Sequence, residues 1–154
     1  MTETLTQLFL RDLEKLKTEI SSFRDEKNLW KISGDTHLDG GQVKNSAGNL
    51  CLHLCGNLQH FVGAVLGNSE YIRNRDAEFS QKNVPIRELV AEIELTSKVV
   101  KQTLESLTES SLNNIYPSNI FGEGTTTAGF LIHLAAHLNY HLGQINYHRR
   151  LIDK

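Results

Sequence analysis

Six of the seven histidines in this 154-residue chain fall on two stretches, His53 and His60 on one and His133, His137, His141 and His148 on the other. On a helix turning about 100° per residue, His137 and His141 stack one turn apart, about 6 Å along the axis. Two imidazole nitrogens at that separation can converge on one ion at about 2 Å each, as in helical His-x-x-x-His metal sites. His133 and His137 share the spacing, so the stretch offers two overlapping pairs. His133 and His141, about 12 Å apart, cannot both join one site. A third ligand has to come from another helix, where His53 and His60 lie seven residues apart on one face with Asn57 between them. Spacing alone chooses neither between the pairs nor between His53 and His60.

His133, His137, Tyr140, His141, Gln144 and His148 fall within an arc of about 100°, with Leu131, Leu134, Leu138, Leu142 and Ile145 on the far side. A solvated helix face carries Lys, Glu or Asp, yet no charged residue occurs from Thr125 to His148. A polar but uncharged stripe on an otherwise apolar helix reads as the lining of an internal cavity. Tyr140 and Gln144 share the arc and become candidates to orient a bound ligand. Three neutral imidazoles would leave a divalent ion its full charge and an open position for water or substrate. Zinc, nickel, iron, copper and cobalt all suit such a donor set.

Other metal chemistries fit poorly. Cys51 and Cys55 flank His53, but two residues to either side point about 200° away, which makes them small core or interface residues. Carboxylate-bridged di-iron bundles need inward Glu and Glu-x-x-His pairs, absent from both histidine-bearing stretches. The same lack weakens a thermolysin-like hydrolase, whose general base would have to be His60, His133, a loop residue or Glu123. No phosphate loop, nucleophile elbow or zinc-finger spacing occurs.

The elements that must position these residues are helical. Leu5, Leu8, Phe9, Asp12, Leu13, Leu16 and Ile20 follow the i, i+3, i+4, i+7 pattern and predict a helix from about Thr4 to Phe23. A loop from about Asp25 to Asn45, containing Trp30, is long enough to carry function or cover a site opening. Ser46 is a plausible N-cap for a second helix reaching about Leu66 and ending at Gly67-Asn68. No charge occurs between Ser46 and Ser69, so that helix belongs inside a bundle or against a partner subunit. A third helix begins around Pro85, whose ring suits a first turn, and runs to about Leu107. A fourth follows the Thr125-Thr126-Thr127 cap region and runs to about Ile152. Four long helices without repeats predict an all-α four-helix bundle in one domain, residues 1–154.

The bulk properties set limits on partners. Hydrophobic residues are 39% and charged residues 22% of the chain, with a formal net charge of -2, as expected of a globular protein. No basic stripe with interleaved aromatics marks a nucleic-acid surface. The expectation is no membrane, because the N-terminal stretch mixes charge into its apolar pattern. A cytoplasmic location follows, and the apolar second helix suggests a homodimer.

The run His137-Leu-Asn-Tyr-His141-Leu-Gly-Gln144-Ile resembles the H-x-x-x-H-x-G-Q-[IV] signature of the DinB-like (YfiT-like) superfamily. Leu52-His53-Leu-Cys-Gly56-Asn57-Leu resembles the segment carrying that family's first histidine. Chain length, helix order and the long loop after the first helix agree, so the resemblance covers essentially the whole chain. It implies an up-down-down-up bundle and a divalent ion (Zn, Ni or Fe) held by His53, His137 and His141. His60 and His133 then become second-shell or cavity candidates, with Asn57, Tyr140 and Gln144. Some branches resemble thiol S-transferases, so a metal-dependent enzyme acting on a small-molecule thiol or other substrate is the expectation. A non-catalytic metal-binding or stress-response protein, or a metal-dependent hydrolase, is the alternative.

Overall fold

The computed structural model describes residues 1–32, 44–120, 122 and 124–154. Residues 33–43 of the expected loop, and Glu123 among the candidate bases, lie outside the described residues.

Helix α1 (Thr2–Ser21) buries Leu5, Phe9, Leu13, Leu16 and Ile20, the stripe its periodicity predicts. A 3-10 turn, Glu26–Trp30, follows where a loop was expected. Ser46 caps α2 (Ala47–Leu58), its hydroxyl accepting from the Asn49 N–H. The chain continues unbroken through a π-helical turn, Gln59–Ala64, into α3 (Val65–Gly67), and stops where Asn68 takes a left-handed φ of 52°. Two short helices without a clear sequence signal follow and precede α5 (Ile86–Ser106): α4 (Arg75–Ser80) before it and α6 (Glu109–Asn113) after it. Thr126 caps α7 (Thr127–Ile152) through the Gly129 N–H. Pro85 stands at the N-cap of α5, one residue outside the first turn. Among the described residues the only β pairing is an isolated bridge between Ile115 and Thr126.

Side-chain pairings fix the helix directions. Asp12 meets Asn139, and Glu19 meets Asn146 and Arg149, so α1 and α7 run parallel. Met1 pairs with Glu109 just beyond α5 and Lys17 with Glu94 inside it, so α1 and α5 are antiparallel. Gln59 reaches Glu92 and Thr96, while Gly63 lies against Val99 and Gly67 against Thr103, so the second helix descends beside α5. The order is therefore up-down-down-up. A Cβ on Gly63 would come within 2.6 Å of Val99, so the glycine lets the two helices close.

The core joins inward faces of all four long helices. Leu89, Ile93, Val100 and Leu104 of α5 and Leu131, Leu134, Leu138 and Ile145 of α7 are at most 2% exposed, each contributing about 1.5–3 kcal/mol by burial. By length and composition the stretch Ala47–Gly67 is apolar enough to cross a membrane, but most of its apolar window is buried inside the bundle. Every residue of α2 except Leu52 is buried. Its charge-free character is therefore used by the chain's own core.

The π turn lies directly after the histidine-bearing part of α2. Phe61 C=O accepts the Tyr116 hydroxyl at 2.7 Å, and Gly63 C=O accepts the Ser69 N–H at 3.0 Å. Such turns recur at functional sites because they re-aim side chains on one helix.

Candidate metal centre

α2 and α7 run antiparallel, which brings His53 level with His137 and His141. One ring nitrogen from each lies within 4.8 Å of the others. His53 Nε2 and His137 Nε2 are 3.2 Å apart. Two nitrogens bound at about 2.0–2.1 Å to a tetrahedral ion stand about 3.3 Å from one another. That gap therefore matches one edge of a tetrahedral donor set.

The far side of two rings is already committed. His53 Nδ1 lies 2.9 Å from Glu78 Oε2, and an ionised carboxylate only accepts, so Nδ1 carries the proton. His141 Nδ1 likewise donates to Gln144 Oε1 at 2.7 Å. In both rings this leaves the Nε2 lone pair for an ion. Gln144, a candidate from its position in the arc, thus meets the His141 ring.

Burial, followed by the neighbouring His141, His53, His133 and Arg73, lowers the His137 pKa to about 4. Burial also lowers His141, against the opposing hydrogen bond to Gln144. His60 is lowered by burial and then by the Arg73 charge. His137 and His141 therefore stand neutral at pH 7, and a metal ligand must be deprotonated. Donor type, spacing and proton affinity all fit a divalent ion.

Glu78 and Arg73 are the parts that sequence reasoning missed. Glu78, on α4, is 5% exposed. Arg73 Nε donates to its Oε1 at 2.7 Å and Nη2 to its Oε2 at 2.9 Å. Burial alone would raise the Glu78 pKa, but the hydrogen bonds from His53 and Arg73 outweigh it and hold the carboxyl below its usual range. Gly56 makes the approach possible, since a Cβ there would collide with Glu78 Oε1. Asn49 Nδ2 also donates to the Glu78 carbonyl at 2.9 Å, fastening α4 to α2. The one sequence signal was Gly56 itself, because an isolated glycine inside a helix marks a close approach.

The other candidates spread along the same face. Asn57, one turn beyond His53, is 7% exposed and its Oδ1 has no hydrogen-bond partner. His60 is half-buried with its ring edge on Phe61, centroids 4.7 Å apart. His133 stacks on His137 at 6.4 Å, and Tyr140, 65% exposed, sets its ring against His141 at 5.1 Å. Among the described residues the stripe is not enclosed: His137 and His141 are half-buried while His133, Tyr140 and Gln144 are exposed.

No curated protein matches the chain. Residues 6–154 match the model of a family described as "Protein of unknown function (DUF1572)", a DinB/YfiT-like domain family, and the chain belongs to that family.

Proposed function

We propose that this protein holds a divalent metal ion on His53, His137 and His141 and is a metal-dependent enzyme of thiol S-transferase type. The observation that carries the reading is the convergence of three ring nitrogens within 4.8 Å, with His137 and His141 only half-buried. When bound, such an ion supplies positive charge that stabilises the deprotonated form of a small nucleophile and leaves a coordination position for it.

The surrounding residues favour a thiol over water as that nucleophile. A free thiol has a pKa of about 8.5, against 15.7 for bulk water, so it needs far less help to ionise. Water activation in a hydrolase gains from a free carboxylate base. Glu78, the carboxylate that meets His53, is buried with both oxygens engaged by Arg73 and His53. His60 and His133, on the same two helices as the three ligands, are the imidazoles that would accept a thiol proton, His60 through a ring kept neutral by burial and by Arg73. The sulfur then bonds to an electrophilic carbon, whose leaving group departs with the electron pair.

Elemental analysis of purified protein tests the site. We expect about one equivalent of divalent metal in the wild type and loss of it in His53→Ala, His137→Ala and His141→Ala. Variants that hold as much metal as wild type would sink the assignment. Thiol consumption against a panel of electrophiles tests the reaction. A metal-loaded protein that is stabilised by its ion but turns over no thiol would overturn the enzymatic reading and leave a metal-organised binding protein.

A further inference from the structure

We infer that the Glu78–Arg73 pair is the positioning element of the centre, selecting the His53 tautomer and fixing its ring. The inference rests on the metal reading above, but it concerns Glu78 on α4 and Arg73 in the connection before it.

Glu78 cannot itself touch a substrate. Its carboxylate is buried, Oε1 accepts from Arg73 Nε, and Oε2 accepts from both Arg73 Nη2 and His53 Nδ1. It acts through His53, then, and the geometry says how. A carboxylate offers no proton, so the proton between Oε2 and Nδ1 belongs to the ring, and Nε2 is the nitrogen with the free lone pair. Nε2 is also the nitrogen that faces His137. The opposite tautomer would point a proton at His137 and set an Nδ1 lone pair against a carboxylate.

Arg73 has a separate task. Its guanidinium grips both carboxylate oxygens, which prevents rotation about the Glu78 terminal bond. It also cancels the carboxylate charge, so the pair orients the ring without adding net charge beside the ion. Its guanidinium lies 5.5 Å from the Phe61 ring centre, and Phe79 packs at 5.0 Å on the His53 ring. His53 is thereby held by Glu78 at its edge and Phe79 on its face, whereas His141 is oriented by an exposed glutamine on its own helix. Gly56 completes the device by leaving the volume that the Glu78 carboxylate fills.

The test uses the full chain and two variants, Glu78→Gln and Gly56→Ala. Glu78→Gln keeps the shape but removes the obligatory acceptor. Gly56→Ala keeps Glu78 and Arg73 and displaces the carboxylate, and alanine suits a helix, so at least one variant should fold. Zinc affinity is read by competition with a chromophoric chelator, and helical content by circular dichroism. We expect affinity to fall about 10–100-fold in both with helical content unchanged. The second readout needs no metal: long-range proton–nitrogen NMR of the chelator-treated protein at pH 8. Wild type should show His53 protonated on Nδ1, and Glu78→Gln should show a mixture. Zinc binding by wild type with unchanged affinity in both folded variants overturns the positioning role alone. A His53 proton on Nε2 in the wild type overturns it too. Wild type that binds no zinc removes the metal reading, while the tautomer measurement still decides what Glu78 does to His53.

Discussion

Lowering the pH should destabilise the metal-free protein through His137, by an amount that the site's geometry sets. Its pKa is about 4 in the folded chain against an ordinary imidazole value of 6.5. Between those values the unfolded chain binds a proton that the folded ring refuses. Stability is therefore fully present above pH 6.5 and is lost as the pH falls towards 4. Linkage for a shift of that size gives a loss of about 2 kcal/mol between pH 7 and pH 5. The ring is only half-buried, and solvent screening reduces this to about 1 kcal/mol. Asp12, Glu19 and Glu78, lowered from ordinary values of 3.8 or 4.5, lose their contributions only below this window. His60, His141 and His148 act in the same direction as His137, so a single profile is not enough. The assay is urea unfolding of chelator-treated wild type and His137→Asn at pH 7 and pH 5. Wild type should lose about 1 kcal/mol more than the variant over that interval. Losses equal to within about 0.3 kcal/mol, the usual error of such differences, would refute the claim that His137 is held neutral by its surroundings.

Two further outcomes are expected. Tyr116→Phe removes the hydroxyl that donates to the Phe61 carbonyl in the π turn and should cost about 1–3 kcal/mol, the penalty of a buried unpaired group. Urea unfolding measures it, and a variant as stable as wild type would show that the π turn needs no such support. We also propose a homodimer formed through the outward face of α7, where Ile132, Tyr140, Tyr147 and Leu151 are each at least 50% exposed. Light scattering should give twice the chain mass, with Tyr147→Glu shifting it to monomer; a wild-type monomer at micromolar concentration would reject the pairing.

The bundle was legible because its helices obey one period. The stripe Leu5, Phe9, Leu13, Leu16, Ile20 is the buried face of α1, and the caps at Ser46 and Thr126 start α2 and α7. Helical spacing also limited the histidine sets, since residues four apart must share a face whatever the tertiary fold. The short helices α4 and α6 were missed because five or six residues do not complete two turns of any pattern. Glu78 was missed for the same reason. It lies 25 residues from His53 in sequence, and only the packing of α4 on α2 brings the two together. The enclosed cavity was expected from missing charge alone. Absence of charge from Thr125 to His148 records two environments at once, the half-buried imidazoles and the exposed apolar residues Ile132 and Tyr147.

Charge accounting joins these observations to the chemistry. From Ser46 to Ser69 and from Thr125 to His148 there is no ionised side chain, and among the described residues Glu78 and Arg73 add a close pair whose net charge is zero. With His137 and His141 neutral at pH 7, the side chains around the centre leave the charge of a bound divalent cation uncancelled. Carboxylate-rich sites work differently, because each ligating Asp or Glu removes a unit of positive charge from what the substrate meets. A donor set of this kind would suit the stabilisation of an anion that enters from solution. The same accounting explains why Arg73 belongs beside the histidine cluster. Without it Glu78 would be a buried, uncompensated carboxylate, and the ring it orients would acquire an anionic neighbour that drains the centre of charge.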